Sequence, residues 1–80
     1  MLKRALDLFA AGDLPAAESA CRALLAADAA DTGARELLVR IHTRRGDAAL
    51  GSGDPVAAVA EYTAALQLDP DAFQARGNRG

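Results

Sequence analysis

Tryptophan is absent from this 80-residue chain, and cysteine, histidine and tyrosine each occur once. Each shortage excludes something. A single cysteine, Cys21, leaves no disulfide framework and no cysteine metal site within one chain. A single histidine, His42, has no second His, Cys or paired carboxylate at a metal or triad spacing, so neither metal chemistry nor nucleophilic catalysis is indicated. Scarce aromatics (Phe9, Tyr62, Phe73) mean few large apolar side chains for a core. No apolar run approaches the roughly 20 residues of a membrane span. Excess positive charge is also missing: the formal charge is -2 and the pI about 5.1, which disfavours nucleic-acid binding. Met1-Leu2-Lys3-Arg4 has a basic flavour, but Asp7 and Asp13 interrupt any signal-peptide core. These absences predict a soluble, cytoplasmic protein that needs no cofactor.

Alanine is abundant instead, at about a quarter of the chain. It favours helix and close helix approach, but each alanine buries little area. Thin, closely spaced helices of modest stability are expected.

The chain also repeats itself. Gly12-Asp13-Leu14-Pro15-Ala16-Ala17 leads to Ala23-Leu24-Leu25 and Asp28, and Gly53-Asp54-Pro55-Val56-Ala57-Ala58 leads to Ala64-Ala65-Leu66 and Asp69. Self-similarity over a few tens of residues marks stacked repeats that bury their apolar faces against neighbours. Four helical segments follow from the pattern. The first, Leu2 to Ala11, is apolar nearly all round and ends at Gly12, which predicts burial on more than one side. Asp13 caps the second and Pro15 sits in its first turn. Its apolar stripe is Leu14, Ala17, Cys21, Leu24 and Leu25, with Glu18, Ser19 and Arg22 opposite. Residues 29–33 read as a turn.

The third segment, about 33–50, carries Ala34, Leu37, Leu38 and Ile41, a stripe continued by Arg45, Ala48 and Ala49. Gly46 marks either a break in it or a place where another helix passes very close. The fourth repeats the second, with Asp54 as cap, and Val56, Val59, Tyr62, Ala65 and Leu66 are expected as its buried stripe. Asp69-Pro70 stops it. Residues 71–80 read as the start of a further helix.

Arg45-Gly46-Asp47-Ala48-Ala49-Leu50, Gly53-Asp54, Ala58, Tyr62, Ala65-Leu66 and Asp69-Pro70 together resemble a tetratricopeptide repeat. The first copy is looser: Ala5 stands in the place of the early glycine, Gly12-Asp13 in the turn, and Ala29 where proline would close the unit. The resemblance implies an all-α fold of antiparallel helical hairpins stacked as a short right-handed superhelix. One domain, 1–80, would hold hairpin 1 at about 2–28, hairpin 2 at about 33–69 with a lengthened first helix, and the opening of a third unit at 71–80. The copies lie 41 residues apart, against a family period of about 34. Two readings of the surplus stay open. A first helix longer by two turns displaces its stripe by only about 20°; alternatively Gly46-Asp47 is the inter-helix turn and an irregular insertion follows.

In that family the first helices of the hairpins build the concave surface, and the resemblance places Arg40, Thr43, Arg44 and Asp47 there, with Asn78 facing it from the third unit. Arginines at one-turn spacing suit carboxylates of an acidic peptide or a peptide C-terminus. The competing reading of the cluster Arg35, Arg40, Arg44 and Arg45 is a solvated face with Glu36 and Asp47 as local partners. Leu6 and Phe9 lie off the stripe facing the second helix, and a partner helix or a second copy would cover them. The function expected is a non-catalytic protein-interaction scaffold that binds on its first-helix surface and self-associates. The alternatives are a structural unit building dimers or filaments, and the N-terminal module of a larger enzyme such as a glycosyl- or sulfotransferase.

Overall fold

The computed structural model describes residues 2–69. They form four α-helices: α1 (Leu2–Ala10), α2 (Leu14–Ala27), α3 (Thr32–Gly51) and α4 (Pro55–Leu68). Successive helices pack side by side, and α1 also reaches α3. The architecture is all-α. The expected third unit, 71–80, lies outside the described residues, and Asn78 with it.

The sequence echo is an echo of caps. Gly12 and Gly53 adopt φ of 85° and 79°, the left-handed conformation that closes a helix. After them Asp13 and Asp54 cap α2 and α4, accepting hydrogen bonds from the backbone N–H groups of Ala16 and Ala57 at 3.3 and 3.1 Å. Asp28 and Asp69 then end those helices with the same extended φ of -149°. Asp31 caps α3 by accepting from the Ala34 N–H at 3.1 Å, so the helix starts at Thr32, inside the expected turn.

α3 is continuous through Gly46, which removes the reading of Gly46-Asp47 as an inter-helix turn. Gly46 is a close approach instead. A Cβ placed there would lie 2.7 Å from Cε1 of Tyr62 on α4. α3 is buried on both sides, and beyond the expected stripe it also buries Val39, His42, Thr43 and Gly46. The main core joins Ala5, Ala17, Cys21, Leu37, Leu38 and Ile41. Burial pushes the Cys21 thiol up, helped by the negative charges of Asp31 and Glu18, so it stays a neutral packing group.

Two expectations about faces are corrected. α1 is apolar nearly all round, yet only Ala5 is fully buried and Leu6 is exposed, because only α2 and α3 pack against it. In α4 the buried positions are Ala58 and Ala65, whereas Val56, Val59 and Leu66 are exposed. Alanines let α4 lie close against α3, and that tight contact selects the small face over the bulky one.

Candidate partner-binding groove

α1 and α3 border an open groove of ≈ 410 Å³. Leu2 and Leu6 line it from α1, and Leu37 and Arg40 from α3, with Glu36 and Asp69 also at its edge. Leu2 and Leu6 are one turn apart, so both project from the same side of α1. Arg40 is exposed and holds no ion pair among the described residues. An apolar floor with a guanidinium at its margin can hold an aliphatic side chain and a carboxylate together.

One turn further along α3, the Arg44 guanidinium lies 5.2 Å from the centroid of the Phe9 ring. That cation–π contact covers part of the ring, which also packs against the core. Phe9 therefore already has an intramolecular cover, in part. Thr43 is buried, and its hydroxyl donates to the Val39 carbonyl at 2.8 Å. Asp47 is exposed and accepts a hydrogen bond from the Tyr62 hydroxyl. The structure thus brings Leu6 and Arg40 to one groove and Phe9 and Arg44 into contact beside them. It turns Thr43 inward and commits Asp47 toward α4.

The local partners expected for the arginines are replaced by others. Arg45 reaches back across the hairpins, its Nη1 donating to Glu18 Oε1 at 2.6 Å, while Arg22 holds Oε2 at 2.8 Å. Glu18 was expected on the outer side of α2; it is partly buried and clamped between two helices. Burial raises its pKa, but the hydrogen bonds and charges of Arg22 and Arg45 outweigh this and hold the carboxyl below the usual carboxylate range. A depressed folded-state pKa stabilises above the unfolded value, near 4.5, and that contribution is lost as pH falls through the folded pKa. Glu18→Gln should therefore weaken the fold at neutral pH and flatten the acid limb of its stability curve. Urea melts of both proteins across the acidic range check this; parallel curves would refute it.

His42 is similarly committed, 5% exposed with Nδ1 2.8 Å from Glu61 Oε1 of α4. The sequence signals for these bridges were a charged residue continuing an apolar stripe (Arg45) and a lone histidine beside one. Among the described residues no three potential metal ligands gather in one place, and no helix is long and apolar enough to cross a membrane.

Neither a curated protein nor a solved structure matches the chain. A family model does: Tetratricopeptide repeat, over residues 39–72. That stretch is similar to a tetratricopeptide repeat, and the four described helices fit a repeat of this kind. The family suggests a protein–protein interaction module, and its domains are generally non-catalytic scaffolds. The match also locates the surplus turns. It begins at Val39, so residues 32–38 are an N-terminal extension of the repeat's first helix. That extension carries Leu37 and Leu38, which enter the core shared with α1 and α2.

Proposed function

We propose that this protein is a scaffold that holds a peptide or a partner helix in the α1–α3 groove. The observation that carries the reading is that Leu2, Leu6, Leu37 and Arg40 line one open groove. The partner inserts aliphatic side chains between α1 and α3 and offers a carboxylate to Arg40, with Arg44 as a second cation one turn along.

Arg40 and Arg44 are both exposed, so reversing them to Glu leaves the core intact. Loss of the Phe9 contact costs the fold only about 0.5–1 kcal/mol. A fluorescein-labelled amphipathic peptide of Leu and Glu is a suitable probe. Its affinity should fall about tenfold or more in the double variant, a loss of roughly 1.4 kcal/mol, while the far-ultraviolet circular dichroism stays unchanged. Equal affinity for both proteins would overturn this mechanism.

A further inference from the structure

The charges that border the α1–α3 groove are of both signs. Glu36 and Arg40 line it from α3, and Asp69 borders it from the C-cap of α4. Asp69 is already partnered. Glu36 and Arg40 are exposed, and among the described residues neither holds an ion pair or a side-chain hydrogen bond. Their spacing would let them pair with each other, since a glutamate four residues before an arginine is the favourable order within one helix. Instead both stay open, one turn apart, at the rim of a groove whose apolar lining includes Leu2, Leu6 and Leu37.

An occupant that seats apolar side chains on that lining brings its own polar groups against both charges. Covering a charge without supplying its counterpart is costly. A purely acidic partner satisfies Arg40 but is repelled by Glu36 and Asp69, and a purely basic one is repelled by Arg40. One turn beyond the groove, Arg44 over Phe9 adds a second cation. Along α3 this face therefore reads negative at Glu36, positive at Arg40 and positive at Arg44. A helix repeats at the same one-turn step, so three of its side chains at four-residue spacing can stand opposite these three. Leu2 and Leu6 on α1 are separated by that step as well.

We propose that the occupant of the groove is a helix of mixed charge, with a cation opposite Glu36 and carboxylates opposite Arg40 and Arg44. The inference rests on the groove reading above and names the chemistry of the partner. Its apolar residues sit over Leu2, Leu6 and Leu37. Glutamate ahead of lysine is the order that suits an isolated helix. A partner whose stripe reads Glu, Glu, Lys along its own chain meets Glu36 with its last charge, so it runs antiparallel to α3.

Two fluorescein-labelled peptides test this on the full 80-residue chain. One carries leucines and a stripe of three Glu at four-residue spacing; the other has Lys in place of the last Glu. The wild-type chain should bind the Lys peptide about fivefold or more tighter at low salt, and added salt should narrow the preference by screening. Glu36→Gln should remove the preference and Glu36→Arg should invert it. The side chain is exposed, so both variants should keep the wild-type circular dichroism and thermal melt. Equal or tighter binding of the all-Glu peptide by the wild-type chain, or a preference untouched by Glu36→Arg, would overturn the proposal. Arg40→Glu separates the two levels. If it weakens both peptides while the Glu36 variants change nothing, the groove reading stands and the mixed-charge partner fails; if it weakens neither, the groove reading itself fails.

Discussion

Gly46→Ala should destabilise the fold by about 1–3 kcal/mol, the usual range for overpacking a filled contact, although alanine is the better helix former by about 1 kcal/mol. The added methyl would meet the Tyr62 ring, with Cε1 at 2.7 Å and Cζ at 2.9 Å. The ring cannot simply tilt aside, because the Tyr62 hydroxyl is hydrogen-bonded to Asp47, the next residue of α3. The other hairpin shows how the same crossing takes a larger residue. There Ala5 stands in the place of Gly46 and Cys21 in the place of Tyr62, and both are fully buried in one cluster. Volume has moved from one helix to the other. Gly46→Ala should therefore cost nothing, or stabilise slightly, in a Tyr62→Cys background. A double-mutant cycle by urea denaturation reads the coupling directly. Additive effects would mean that Gly46 is needed for some reason other than Tyr62.

That pairing shows which levels of structure the sequence makes legible. The caps are local: a glycine, an aspartate and a proline within a few residues decide where a helix starts, and Asp13, Asp54, Gly12 and Gly53 act as their types suggest. Gly46 is not local. Break and close approach look alike until Tyr62 is seen lying on it. The bridges Arg45–Glu18 and His42–Glu61 are hidden for the same reason, joining residues 27 and 19 positions apart on different helices.

α4 is a separate case. One charged residue in fourteen gives it no polar face for orientation, so size and periodicity put Val56, Val59 and Leu66 on the expected stripe beside Ala65, and of these only Ala65 is fully buried, with Ala58. Near the groove, the sequence singled out Leu6, Arg40 and Arg44, and the structure puts Leu6 and Arg40 on the α1–α3 groove with Arg44 one turn beyond. The sequence could not show that Thr43, on a helix packed from two sides, turns inward.

The two kinds of apolar surface should respond oppositely to truncation. Ile41 is 0% exposed and, with Leu38, among the largest fully buried side chains, in a core otherwise rich in alanine. Ile41→Ala should cost about 2–5 kcal/mol, comprising lost burial and a cavity that neighbouring helices cannot refill. A domain of this size has total stability near the lower end of about 5–15 kcal/mol. Most of it would be removed, lowering the melting temperature by ~10 °C or more. Val59→Ser also removes branched apolar bulk, yet at 64% exposure it should change monomer stability by no more than about 0.5 kcal/mol. The comparison belongs at low concentration, where assembly adds nothing to apparent stability. Equal losses for both would place Val59 in the core of the monomer.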